Sequence, residues 1–161
     1  MSEINIKSMP DFIVRLHAKS GEYPEMDEFR NLHNSYWLSL GCDIHINDNV
    51  PNSTYLVAVD KDKIVGSIGI VAYTENSKMN LYLFDFYVIP EYRNKGIGQD
   101  LIDSVKEVFE SKIKNRGFIS LRAIPSTVSY FEKQGFVKTD KLEYGIHEKD
   151  DICFVWTPSE E

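Results

Sequence analysis

The chain has 161 residues, 42% of them hydrophobic and 12% aromatic, and a formal net charge of −7. That length suits one domain with a real core, and residues 1–161 are read as a single domain. The acidic balance excludes a nucleic-acid scaffold, because phosphate backbones are held by Lys and Arg. No apolar run reaches the length of a membrane span, and the N-terminus has no signal-peptide pattern, so a cytoplasmic protein without membrane contact is expected.

Residues 1–10 are polar and read as a loose lead-in. Residues 11–18 alternate, with Phe12, Val14, Leu16 and Ala18 on one side and Ile13, Arg15 and His17 on the other. That period of two predicts a strand. After a turn at Gly21, Pro24 starts a helix with Glu25, Asp27 and Glu28 in its first turn, where the helix dipole favours acids. Met26, Phe29, Leu32, His33, Tyr36, Trp37 and Leu40 form its apolar stripe, and Gly41 caps its end. Residues 42–53 are polar and turn-rich, and read either as a connector or as the wall of a binding site.

Residues 54–59 and 64–73 predict two strands joined by a charged turn, Asp60-Lys61-Asp62-Lys63. Gly66 and Gly69 in the second strand mark a bend or a close approach. Residues 81–88, Leu-Tyr-Leu-Phe-Asp-Phe-Tyr-Val, predict a buried strand with one carboxylate, Asp85. Pro90 ends it, having no N–H for a ladder. Ile97, Leu101, Val105, Val108, Phe109 and Ile113 then recur at helical spacing. Residues 114–117 end that helix, and 118–123 predict a further strand. Pro125 and Ser126 open a short helix, with Ser126 as its N-cap. It carries Val128, Tyr130, Phe131 and Gln134 and stops at Gly135. Residues 136–144 and 152–156 make a last hairpin, and 158–161 a tail. The strand–helix–strand crossover makes its two strands parallel, with a right-handed connection. The fold class is therefore α/β: a mixed sheet of about seven strands with helices on both faces.

The stretch Val88-Ile-Pro-Glu-Tyr-Arg-Asn-Lys-Gly-Ile-Gly98 links the buried strand to the long helix. The first turn of a helix leaves N–H groups unpaired at the positive end of its dipole. Gly96 and Gly98 clear the approach for an anion, and Arg93 and Lys95 add positive charge. The pattern is not a P-loop, which needs Gly-x-x-x-x-Gly-Lys-Ser/Thr, nor a dinucleotide loop, since Leu101 stands where a third glycine would be. It resembles the acetyl-CoA pyrophosphate loop of the GNAT superfamily of N-acetyltransferases. Tyr130-Phe-Glu-Lys-Gln-Gly-Phe136 is similar to that superfamily's Tyr-Glu-Lys-x-Gly-Phe signature. The order of elements matches as well, so the resemblance covers nearly the whole chain and is strongest from 54 to 136.

The resemblance implies an acetyl-CoA co-substrate lying along the strand at Phe86, Tyr87 and Val88 and beside Phe131. Its pyrophosphate would meet Arg93, Asn94, Lys95, Gly96, Ile97 and Gly98. A primary amine would attack the thioester directly. That reaction needs a neutral amine, a backbone donor near Val88 for the thioester oxygen, and a proton for the leaving thiolate. The position of the superfamily's tyrosine acid is Phe131, which cannot donate. Tyr130 lies one residue earlier, roughly 100° around the helix, and is the candidate acid; the rival reading is a packed aromatic. The string Phe84-Asp85-Phe86-Tyr87-Val88 resembles the acid-bearing strand of polyamine and aminoglycoside N-acetyltransferases. Asp85 then holds the acceptor's amine or takes its proton, or else forms a structural salt bridge. Tyr82 stands near where some members carry a glutamate base, and a tyrosine there removes that option, so the resemblance assigns no general base. Tyr36 and Trp37 fit both an acceptor-pocket wall and a core stripe.

The implied function is acetyl transfer to a small cationic amine. Two rivals are acetylation of a protein N-terminus or lysine, and a non-catalytic acyl-CoA-binding regulatory module, which phenylalanine at 131 favours. Cys42 and Cys153 lack ligand or disulfide spacing, and His17, His33, His45 and His147 are scattered, so reduced thiols and no metal are expected. Exposed strands leave a homodimer open.

Overall fold

A computed structural model of the protein describes residues 4–40, 53–140 and 152–158. The strands are β1 (Ile4–Ser8), β2 (Ser53–Asp60), β3 (Lys63–Glu75), β4 (Lys78–Val88), β5 (Arg116–Ala123), β6 (Val137–Lys138) and β7 (Ile152–Trp156). They lie in one sheet in the order β1-β2-β3-β4-β5-β7-β6. Only β4 and β5 pair in parallel; the other neighbours are antiparallel. The helices are α1 (Phe12–Leu16), α2 (Asp27–Ser39), α3 (Ile97–Lys112) and α4 (Val128–Lys133). α3 supplies the crossover between the two parallel strands.

α1 and α2 cover one face of the sheet. Phe12 stacks on Tyr55 of β2 with ring centroids 4.3 Å apart, and Phe29 meets Tyr87 of β4 edge-on at 5.7 Å. α3 covers the other face, burying Ile97, Leu101, Ile102, Val105 and Phe109. Each such side chain contributes roughly 1.5–3 kcal/mol on leaving water. The stripe read from the sequence differs at Val108, which is exposed, and lacks Ile102, which is buried.

The sheet and its flanking helices follow the expected fold class, but the N-terminus does not follow the expected elements. Residues 4–8 are no loose lead-in: they form β1, paired with β2 from Ile4↔Asp60 to Ser8↔Leu56. Residues 11–18 are no strand. Phe12 and Leu16 are buried in α1, whereas Val14, which alternation would bury, is 62% exposed. A spacing of four residues satisfies both periods, and Phe12 with Leu16 is that spacing. Arg15 completes the turn by pairing with Asp11 at 3.0 Å and Glu25 at 2.9 Å.

Three one-turn 3-10 helices, Pro24–Met26, Pro90–Tyr92 and Pro125–Thr127, each place proline in the first turn. The first delays α2 to Asp27, and the third delays α4 to Val128. Ser126 is therefore not the N-cap. Thr127 takes that place, and its hydroxyl donates to the Ile124 carbonyl at 2.9 Å. The Gly41 cap, the loop at 42–52, residues 141–144 of the strand expected at 136–144 and the turn at 145–151 lie outside the described residues; within 136–140 the strand is limited to β6, Val137–Lys138.

Candidate active site

The site is built around the second half of β4. Its parallel pairing with β5 ends at Leu83↔Leu121, while β5 continues alongside β7 to Ala123↔Ile152. From Phe84 to Val88 the β5-side edge of β4 is therefore not laddered. Backbone direction along it follows from neighbouring bonds. The Ile89 N–H donates to the Val65 carbonyl of β3 at 3.0 Å. Alternation then turns the N–H and C=O of Val88 to the open side. The Val88 carbonyl accepts from Arg93 Nε at 2.8 Å, leaving the N–H for a ligand.

A bulge sits in the same half. Gly69 pairs with Phe84 and Ser67 with Tyr87, so Ile68 alone faces both Asp85 and Phe86. Asp85 takes φ +54°, a left-handed conformation unusual for a residue other than glycine. Gly69 has room for nothing larger: a Cβ there would lie 2.7 Å from the Phe84 ring.

Past the strand, the loop turns through Asn94 at φ +62° and Gly96 at φ +82°. Gly96 is the N-cap of α3, and its carbonyl accepts from the Asp100 N–H at 2.9 Å. The N–H groups of Ile97, Gly98 and Gln99 precede that first bond and have no partner within the helix. Arg93, Asn94 and Lys95 are exposed beside them. An arrangement of this kind can cradle a phosphate.

Tyr130 of α4 closes the cradle from the other side. A Cβ on Gly98 would stand 2.6 Å from the Tyr130 hydroxyl oxygen and 3.0 Å from Phe86 Cζ. Glycine is what lets these three residues meet. Burial, and after it the charge of Asp103, raises the Tyr130 pKa, so its proton is held firmly. Phe131 turns the other way into the core, its ring about equally far from Phe86, Phe136 and Phe154.

Tyr36 joins the site from α2. The Arg93 guanidinium lies over the rings of Tyr87 at 5.2 Å and Tyr36 at 5.8 Å. Asp85 does not join this group. Its carboxylate turns under α2, where His33 Nε2 lies 2.5 Å from Oδ1 and the Tyr55 hydroxyl donates to Oδ2 at 3.2 Å. Only 7% of the Asp85 side chain and 2% of His33 is exposed. Burial opposes a charged His33, but the charge and hydrogen bond of Asp85, with Asn34, outweigh it and raise its pKa. Tyr82 stacks on Phe84 in the core.

His33, Tyr55 and Ser67 around Asp85 are the part that sequence reading missed. One signal was present: a carboxylate in an apolar strand requires a partner, and His33 is the basic residue on the core stripe of α2. Among the described residues no group of three or more His, Cys, Asp and Glu could hold a metal, and no helix is long and apolar enough to cross a membrane.

Residues 42–155 match the family model for the acetyltransferase (GNAT) domain. The fold is similar to that of an acetyltransferase from Streptococcus agalactiae, with 20% identity over 94% of this chain and 96% of that one and a TM-score of 0.66. It is also similar to an acyl-CoA N-acyltransferase from Pseudomonas aeruginosa, with 12% identity over 96% and 100% of the two chains and a TM-score of 0.64. A third similar structure is an aminoglycoside acetyltransferase from an uncultured soil metagenomic sample, in complex with sisomicin. It shares 18% identity over 90% of this chain and 93% of that one, with a TM-score of 0.59. At these identities the likeness is one of fold. No curated protein matches the chain in sequence. The family uses an acyl-CoA co-substrate, and the residues present fit one: an open strand edge with a free amide leads into an anion cradle. The family model spans most of the chain, and the protein belongs to the GNAT acetyltransferases.

Proposed function

We propose that this protein transfers acetyl from acetyl-CoA to a primary amine on a small cationic molecule. The observation that carries this reading is the unladdered edge of β4 at 84–88 running directly into the phosphate cradle at 93–98. When bound, the co-substrate supplies an activated acyl carbon as a thioester. The amides of Phe86 and Val88 donate toward the oxygen that gains charge during attack. The amides of Ile97 and Gly98, with Arg93, Asn94, Lys95 and Gly96, hold the pyrophosphate. Tyr87 and Phe131 support the strand and helix on either side of the cleft.

Tyr130 is the candidate proton donor to a leaving thiolate. Its hydroxyl lies beside Gly98, and a tyrosine, whose pKa burial here raises further, is protonated at neutral pH, as a proton donor must be. The one-residue departure from the family signature thus still brings a hydroxyl to the cleft. Tyr36 lines the acceptor side with Tyr87. Both oxygens of Asp85 are engaged, so it acts through the backbone rather than by direct contact with the amine. The net charge of −7 supports a cationic acceptor, as does the similarity in fold to an aminoglycoside acetyltransferase. Cys153 is a free thiol, in keeping with action in the cytoplasm.

The test is free-thiol release from acetyl-CoA against polyamines, aminoglycosides, amino acids and short peptides. Turnover with a small polyamine or aminoglycoside supports the reading. Turnover with peptides alone moves the acceptor to protein. Silence across the panel, with CoA binding shown by calorimetry, overturns catalysis in favour of a binding module.

A further inference from the structure

We propose that His33, Tyr55 and Ser67 are positioning residues that lock the Asp85–Phe86 peptide so that the Phe86 N–H faces the reacting oxygen. This rests on the acetyl-transfer reading above for its chemistry, but its geometry is independent of it. Asp85 carries a left-handed backbone at φ +54° in the middle of a strand. For a residue with a Cβ such a conformation is strained and persists only where its surroundings over-determine it. Here three elements grip three different atoms of one residue. His33 of α2 holds Oδ1, Tyr55 of β2 holds Oδ2, and Ser67 of β3 donates its hydroxyl to the Asp85 carbonyl oxygen at 3.2 Å.

The last of these fixes the direction of the amide. The described residues contain no cis peptide, and in a planar trans peptide C=O and N–H point oppositely. With the Asp85 carbonyl turned to Ser67 on β3, the Phe86 N–H is turned to the opposite edge, the one β5 has left. Simple alternation along β4 would instead place Asp85 on the face opposite Phe84. The bulge sends both toward α1 and α2: the Phe84 ring meets Tyr55 at 5.6 Å, and the Asp85 carboxylate meets the same side chain. Phe86 then falls on the other face, against Tyr130. A salt bridge that merely stabilised the core would need neither the carbonyl bond nor the inverted φ.

The experiment uses the full chain and the variants Ser67→Ala, His33→Ala and His33→Gln. Three quantities are read: the amide-to-Cα proton coupling of Asp85 by NMR, CoA affinity by calorimetry, and steady-state thiol release with the best amine. In Ser67→Ala and His33→Ala the Asp85 coupling should shift toward that of an extended strand. Their kcat should fall about tenfold to a hundredfold, as when one preorganised donor is lost. CoA affinity and KM for acetyl-CoA should change by less than about threefold. His33→Gln keeps an N–H donor for Asp85 and should recover part of kcat. An Asp85 coupling unchanged in both alanine variants overturns the proposal, and so does a changed coupling with full kcat. Ser67→Ala removes one hydroxyl and keeps the test open if His33→Ala fails to fold. If the wild type releases no thiol with any amine, the acetyl-transfer reading fails. The coupling then decides alone: movement in Ser67→Ala upholds the lock, and constancy overturns it.

Discussion

The two halves of β4 follow opposite rules. From Met79 to Leu83 the strand is laddered on both edges, against β3 and β5. From Phe84 to Val88 it is laddered on one edge only, and there the backbone is bulged and locally left-handed. The first half is fold and the second half is the candidate site. In the first, the ladders run to both neighbours, with one irregularity against β5 between Met79 and Leu81. In the second, donors are held in place by β3 and α2 but left for a ligand. A strand edge inside a sheet is normally avoided because unmet hydrogen bonds are costly, so an internal one marks a place where something binds.

The contrast can be broken most sharply at Gly98. Gly98→Glu puts a carboxylate where Tyr130 and Phe86 close in, at the proposed phosphate cradle. CoA affinity should fall at least about a hundredfold, because a fixed negative charge at a helix N-terminus competes with phosphate. Calorimetry checks it, and retained affinity would move the cradle elsewhere. Next is Gly69→Ala. The added methyl meets the Phe84 ring, so the bulge must relax or the ring must move. Urea unfolding should show a loss of about 1–3 kcal/mol, the usual cost of overpacking. An unchanged midpoint would mean that the bulge does not depend on this approach.

Tyr130→Phe should lower kcat by about tenfold with little change in KM, less than a typical general acid because a thiolate is a fair leaving group. Full activity would leave Tyr130 as packing. The smallest effect is one of pH. His33 has its pKa raised by the Asp85 charge against the opposing burial. A raised folded pKa contributes stability that is fully present below the ordinary imidazole value of about 6.5 and lost as pH rises through the folded value. Melting temperature should therefore fall more for the wild type than for His33→Gln as pH climbs above about 6.5. Parallel curves would show that His33 carries no proton in the pair.

Sequence and structure agree where the information is local. The cradle at 93–98 and the stripe of α3 are contiguous strings, and each residue's task depends on neighbours within a few positions. Agreement fails where the partner is distant or the pattern is short. β1 rests on Ile4 and Ile6, which are only half-buried, so its alternation is faint. α1 is five residues long, and its two buried positions fit either period. The bulge left no trace, since Asp85 stands in a run of strand-forming residues with no glycine beside it. His33 is separated from Asp85 by 52 positions, and nothing in either neighbourhood names the other. Tyr130 was legible as a hydroxyl near the signature, but its turn toward Gly98 depends on the 3-10 turn that delays α4.

The gap between β4 and β5 also bears on how long the folded protein lasts. A ligand that fills it binds the native chain and not the unfolded one, so it draws the folding equilibrium toward the native state by mass action. At a concentration of one hundred times its dissociation constant, such a ligand adds about 2.7 kcal/mol. That is a large share of the roughly 5–15 kcal/mol that holds a domain of this size together. Resistance to proteolysis should accordingly rise with the supply of co-substrate, and a cell short of acyl-CoA would hold less of this protein without any change in its synthesis.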